Sequence, residues 1–185
     1  MPLAAEQLIK DVKEMNVLNA AVVNVTDINF SDEVRKYCEK NSCGKCGTNW
    51  ACPPGVGPVA ELKRKAHEYE KGIILQTVHQ IANSFDLKGM MAGGKVHEQV
   101  LRAVLPLLKE KYNFSKTLVL GAGPCTICEI CSYEEGQPCR FPDKALSSLE
   151  AYGIDVVSSV KRCNIPYNNG PGTVSYIGLI LFNRN

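Results

Sequence analysis

Apolar residues along the 185-residue chain recur at spacings that alternate between those of helices and those of strands. Apolar side chains three and four positions apart predict helices over residues 4–15, 31–40, 58–72, 95–112 and 141–153. Short apolar runs rich in β-branched residues predict strands over residues 19–28, 72–81, 117–123, 154–160 and 173–182. The turn-rich segment PYNNGPG separates the last two runs, which suggests that they form a hairpin.

Helices and strands that alternate along a chain are typical of an α/β fold. We expect a sheet of about five strands, mostly parallel or mixed, flanked by helices. The length suits one domain, and the sequence contains no internal repeat, low-complexity segment or linker. The sequence therefore predicts a single α/β domain over residues 1–185.

The composition indicates a globular protein and argues against a nucleic-acid binder or a membrane protein. The chain is 45% hydrophobic and 22% charged with a net charge of +2, values typical of a soluble globular protein and not of a nucleic-acid binder. The longest apolar run, residues 173–182, is too short to span a membrane, and the charged N-terminus does not resemble a signal peptide. We therefore expect a cytoplasmic protein that binds neither membrane nor nucleic acid, in which the nine cysteines stay reduced.

Eight of the nine cysteines form two quartets, each in a loop rich in glycine and proline. The first quartet is Cys38, Cys43, Cys46 and Cys52, followed directly by two prolines. The second quartet is Cys125, Cys128, Cys131 and Cys139, with Pro142 just beyond. Such clustering in a reducing compartment indicates metal binding or catalysis rather than a disulfide framework.

The spacing favours iron–sulfur clusters over zinc. A C-x2-C-x2-C run brings three thiolates to three irons of a cubane, and the fourth thiolate comes from further along, often beside a proline. Zinc sites usually use two separate C-x2-C knuckles, which neither quartet has. We therefore predict two [4Fe–4S] clusters, with zinc as the alternative. The spacing leaves open which cysteines serve which cluster, since Cys52 and Cys139 could be exchanged.

The two cysteine-rich segments also resemble those of a family of predicted metal-binding proteins. The resemblance rests on CGKCGTNWACPP (residues 43–54) and on CTICEICSYEEGQPCRFP (residues 125–142) followed by SLEAYGIDV (residues 148–156). It runs along nearly the whole chain and implies metal binding at the eight cysteines. It implies no particular reaction.

The hypothesis from the sequence is an iron–sulfur protein that transfers electrons to a redox protein partner, with its oligomeric state open. Aromatic side chains beside the cysteines (Trp50, Tyr133 and Phe141) are expected to shield the clusters from water, and Lys45 and Arg140 to offset their negative charge. The histidines carry no metal prediction, and His67 and His97 are expected on the surface of helices.

Two alternatives remain. The first is an iron–sulfur enzyme that uses an open cluster iron or Cys163 for redox or sulfur chemistry. Its catalytic residue is unknown, and Cys163 is a candidate because Lys161 and Arg162 beside it could lower the pKa of its thiol. The second alternative is an interaction module held together by zinc, without a redox role.

Overall fold

The computed structural model describes residues 2–114 and 116–183. In chain order its helices and strands are α1 (Pro2–Lys13), β1 (Asn19–Asn24), α2 (Asp32–Glu39), α3 (Val59–Ala66), β2 (Lys71–Gln80), α4 (Leu87–Glu110), β3 (Thr117–Gly121), β4 (Ser147–Ser148), α5 (Val156–Arg162) and β5 (Thr173–Phe182). Short 3-10 turns lie at Val25–Asp27 and Glu150–Tyr152.

The strands form one five-stranded mixed sheet in the order β1-β2-β5-β3-β4. This confirms the predicted α/β fold, in its mixed rather than its mostly parallel form. Three of the four pairings are antiparallel, and only β3 and β4 run parallel. The predicted hairpin between the last two strands is wrong, because residues 154–160, its first strand, lie mostly in helix α5, and β5 instead lies between β2 and β3.

Helices cover both faces of the sheet because β2 and β5 alternate their apolar side chains between the two faces. On one face, Ile73, Leu75, Ile180 and Phe182 pack with buried residues of α1 and α4. On the other face, Ile74, Leu179 and Leu181 pack with α3, α5 and the turn at residues 150–152. None of the helices in residues 2–114 and 116–183 combines the length and the hydrophobicity of a membrane span.

The helix predicted over residues 95–112 begins eight residues earlier, at Leu87, and two further segments have a different secondary structure from the predicted one. Residues 154–160 were predicted as a strand but contribute most of α5, because the Asp155 carboxylate accepts a hydrogen bond from the Ser158 N–H and caps the helix. Residues 141–153 were predicted as a helix but contain turns, the two-residue strand β4 and a 3-10 turn. The N–H of Leu149 donates to the carbonyl of Gly121, so pairing with β3 replaces a helical hydrogen bond here.

His97 was expected on the surface, but it lies in the core between α4 and the sheet with only 1% of its surface exposed. Its Nδ1 pairs with the hydroxyl of Thr77 at 2.9 Å, and the same hydroxyl pairs with Nε2 of His79 at 2.9 Å. Nε2 of His97 has no hydrogen-bond partner among the described residues. Burial lowers the pKa of His97 from its ordinary 6.5 to about 4, with a smaller contribution from nearby His79.

This burial predicts a loss of stability in mild acid. Between pH 6.5 and pH 4 the unfolded chain binds a proton at His97 that the folded chain does not, so the free energy of unfolding falls as the pH falls. We expect His97 to contribute a decrease of at most roughly 3 kcal/mol over that range. Denaturant unfolding of wild type and His97→Gln at several pH values measures it, because the variant removes this titration but retains a group that can bond Thr77. Equal pH slopes for the two proteins would contradict it.

Candidate metal centre

The eight quartet cysteines lie in or beside two loops. The first cysteine loop, residues 40–58, joins α2 to α3, and Cys38 precedes it in the last turn of α2. The second cysteine loop, residues 122–146, joins β3 to β4 and begins where β3 ends. All nine cysteines are free thiols within the part of the chain that the structure describes.

Arg35 anchors the first cysteine loop to the rest of the fold. Its side chain is buried, and its guanidinium donates to the carbonyls of Ala151 and Gly57 while Nε donates to Glu39. Gly57 lies near the end of the loop, and Arg35 lies one helical turn before its start. A single side chain therefore holds both ends of the loop against the turn at residues 150–152.

The second quartet surrounds one cavity. All four of its thiols contribute to the wall, together with side chains from both loops, and the lining residues are Asn49, Trp50, Ala51, Cys125, Ile127, Cys128, Cys131, Ser132, Cys139, Phe141 and Ala145. The enclosed part is small, about 20 Å³, and Phe141, at 41% exposed, belongs to the wall. A cofactor larger than a single ion would therefore require the wall of this cavity to move outward.

Hydrogen-bond donors point at the sulfur atoms of two cysteines of the second quartet, Cys125 and Cys128. Burial raises the pKa of Cys125, although the backbone N–H groups of Ile127 and Leu146 donate to its sulfur and act in the opposite direction. The guanidinium of Arg140 contacts Cys128, which raises the pKa of Arg140. These are groups that stabilise a thiolate, and hydrogen bonds to ligand sulfurs are a usual feature around metal centres.

The two cysteine loops pack directly against each other. The indole N–H of Trp50 in the first loop donates to the carbonyl of Gln137 in the second at 2.9 Å. The Trp50 ring also meets the Tyr133 ring edge to face, with centroids 4.9 Å apart and an interplanar angle of 85°. Gly55 completes the junction, because a Cβ atom at this position would lie 2.8 Å from Tyr133 Cε2 and 2.8 Å from the Asn49 carbonyl oxygen.

The thiols of the first quartet lie near enough to affect each other's ionisation. Burial raises the pKa of Cys38 to about 11, and the charges of Cys52 and Cys43 add to the effect. Burial is also the main reason that the pKa of Cys52 is raised, and Cys125 of the second quartet is among the charges that contribute. Burial thus disfavours the thiolate forms of Cys38 and Cys52, so a metal that binds them as thiolates must displace their protons.

The thiols of each quartet lie in the same region but do not meet around a single point. Across residues 2–114 and 116–183, no three histidine, cysteine, aspartate or glutamate side chains are close enough together to hold one metal ion. Soft thiolate donors still suit zinc and iron–sulfur clusters, and the second quartet lines a shared cavity. The donor chemistry therefore fits a thiolate-ligated metal group, and the eight cysteines remain predicted ligands.

Cys163 is separate from this centre. It lies at the end of α5, half-buried against the core, and lines a different cleft to which none of the eight quartet cysteines contributes. Burial raises the pKa of its thiol, which is opposite to the lowering that Lys161 and Arg162 were expected to cause. The structure therefore gives Cys163 no feature of an activated nucleophile.

Comparisons with known proteins bear on the family alone. No curated protein and no solved structure matches the chain. A family model described as "Predicted metal-binding protein (DUF2284)" matches residues 21–182, a range that contains both quartets and all of the sheet except the first two residues of β1. The chain therefore belongs to this family of predicted metal-binding proteins.

Proposed function

We propose that the chain binds two [4Fe–4S] clusters through its two cysteine quartets and transfers electrons to a redox protein. The observation that carries this proposal is the cavity lined by all four thiols of the second quartet, because its wall also includes Trp50 and Ala51 of the first cysteine loop. The two predicted ligand sets are therefore neighbours. A pair of adjacent clusters is suited to passing electrons onward, whereas a single metal would suffice to hold a loop.

The spread of the thiols supports a cluster over zinc. Zinc in a structural site needs four donors to meet around one point, with sulfurs at about 2.3 Å from the ion. Each thiolate of a four-iron cluster instead binds a separate iron, so the sulfurs lie further apart. The described thiols of the second quartet share one cavity without converging on a single ion. Their spread supports the cluster, and binding it requires the wall of the cavity to move outward.

The surroundings of the quartets support a redox role. When bound, a [4Fe–4S] cluster supplies a one-electron couple whose potential depends on charge, hydrogen bonds to sulfur and access of water. The chain provides a cation at Cys128 through Arg140 and backbone N–H groups at Cys125. Trp50 and Phe141 form part of the wall of the cavity, and both limit the access of water to the thiols.

Metal and sulfide analysis of anaerobically purified protein tests the proposal. We expect iron and acid-labile sulfide in equal amounts, a broad visible absorption band that bleaches on reduction with dithionite, and a paramagnetic signal from the reduced protein. A colourless preparation that contains zinc without iron or sulfide would overturn the proposal and favour the interaction module. Iron without reversible bleaching would retain the metal but exclude electron transfer.

A further inference from the structure

A cleft of about 810 Å³ runs along the outer edge of β3 and ends at the cysteine loops. Leu105 of α4 lines one side and Tyr69 lines the other, with the residues of β3 between them. Trp50 and Cys139 line the same cleft, so it extends to both cysteine loops. Its volume is in the range of binding sites for small molecules and peptides.

The floor of this cleft is an open sheet edge. Strand β4 pairs with only the last two residues of β3, whereas β5 pairs along Thr117–Leu120 on the opposite side. Among residues 2–114 and 116–183, no strand residue lies in register with residues 117–119 on the outer side. An unpaired edge of this kind is a template for the addition of another strand.

The direction of the backbone groups can be deduced from β4. The carbonyl of Gly121 accepts a hydrogen bond from the N–H of Leu149, so Gly121 directs its polar groups away from β5. Polar groups in a strand alternate in direction, so those of Val119 and Thr117 also face the cleft. The pairing of Leu120 with Ser147 uses the Val119 carbonyl as an acceptor for the N–H of Ser147. No described strand pairs with the N–H of Val119 or with the outward groups of Thr117, and an extended segment in the cleft would provide partners for them.

Cationic side chains outnumber acidic ones in the lining of the cleft. Lys65, Arg102 and Lys116 line it, and Asp143 is the one acidic residue in the described lining. Glu98 and Glu68 form ion pairs with Arg102 and Lys116. Lys65 forms no ion pair within the described residues, so its charge is available to a ligand.

We propose that this cleft binds an extended acidic segment of a partner protein, which adds to the sheet as a strand beside β3. Backbone hydrogen bonds to Thr117 and to the N–H of Val119 give the affinity, and Lys65 in the lining selects for acidic side chains. Apolar side chains of the segment pack on Leu105 or Tyr69.

The inference rests on the proposed function only in identifying the partner as a redox protein. Trp50 and Cys139 at the end of the cleft place a docked segment against both cysteine loops. A partner held by its strand at this edge would therefore face the predicted clusters.

Calorimetric titration with two blocked hexapeptides tests the inference, one of alternating glutamate and valine and one of alternating lysine and valine. We expect the acidic peptide to bind the metal-loaded protein at least ~tenfold more tightly than the basic one. In Val119→Pro we expect its affinity to fall by ~tenfold, because proline removes one N–H that faces the cleft. Lys65→Glu should weaken the acidic peptide and strengthen the basic one.

Leu118→Pro is the matched control for the direction of the backbone groups. The N–H of Leu118 faces β5, so proline there should disrupt the central sheet, whereas Val119→Pro should retain the circular dichroism and metal content of wild type. If Val119→Pro does not fold, the deduced backbone direction is wrong. Failure of the acidic peptide to bind, or equal affinities of wild type and Lys65→Glu, would overturn the docking proposal.

The two proposals fail separately. If docking fails, iron, sulfide and bleaching are unaffected. If the clusters are absent, the peptide affinities still report on the β3 edge.

Discussion

Replacing Cys128 with serine is expected to abolish metal binding at the second quartet, whereas replacing Cys163 with serine should leave the metal content unchanged. Serine has nearly the same size as cysteine, but its hydroxyl does not ionise near neutral pH and is a poor ligand for a soft metal site. Cys128 lines the shared cavity and contacts Arg140, so its loss removes one of four donors. Iron, zinc and sulfide per chain, measured on anaerobic preparations of both variants, test this expectation.

The Cys163→Ser variant is the control that separates loss of a metal ligand from the general effect of removing a thiol. Cys163 is half-buried like Cys128, so a general effect of removing a thiol would appear in both variants. It lines a separate cleft, between β1 and the end of α5. Loss of metal from Cys163→Ser, or full retention by Cys128→Ser, would show that the ligand set is assigned wrongly.

Gly55→Ala should separate the two cysteine loops and reduce the metal content of both quartets. The added methyl would lie 2.8 Å from the Asn49 carbonyl oxygen and 2.8 Å from the Tyr133 ring, closer than carbon atoms normally approach these groups. The backbone oxygen and the ring have little freedom to move, so the loops must shift, at a cost of about 1–3 kcal/mol. Thermal unfolding and metal analysis of the variant measure both effects.

Gly94→Ala is the control, since it adds the same methyl group elsewhere. Gly94 lies inside α4, where a Cβ atom would be 3.6 Å from the Tyr176 ring, an ordinary contact distance. Alanine is preferred over glycine within a helix, so this variant should be stabilised by about 0.5–1 kcal/mol and should retain its metal. Equal stability of the two variants would indicate that the loops are not tightly packed at Gly55.

The secondary structure was predictable wherever the local spacing of apolar residues indicates the same element that the tertiary contacts stabilise. Strands β2 and β5 appear as apolar runs because both faces of the central sheet are buried. Residues 154–160 misled the prediction because their valines favour a strand, although Val156, Ser159 and Val160 are buried at a helical spacing. The position of β5 between β2 and β3 depends on contacts between distant segments, which periodicity does not contain.

The candidate site was predictable as a list of residues but not as an arrangement. Cysteine spacing identified both quartets, whereas the contacts of Trp50 with Gln137 and Tyr133 join segments more than eighty residues apart and leave no local pattern. The burial of His97 could have been predicted from the helical spacing. His97 continues the buried stripe of α4 that contains Val100, Leu101, Val104 and Leu108. The open edge of β3 could not be anticipated, because β4 was predicted as part of a helix.

The junction between the two cysteine loops contains a fluorescent side chain. Trp50 is the single tryptophan of the chain, and it lies where the two cysteine loops meet. The tryptophan fluorescence of the protein therefore comes entirely from the junction between the two loops. Iron–sulfur clusters absorb in the region of tryptophan emission and quench it by energy transfer, whereas zinc is colourless and does not. The protein thus contains its own optical reporter, which distinguishes the two metals without any label.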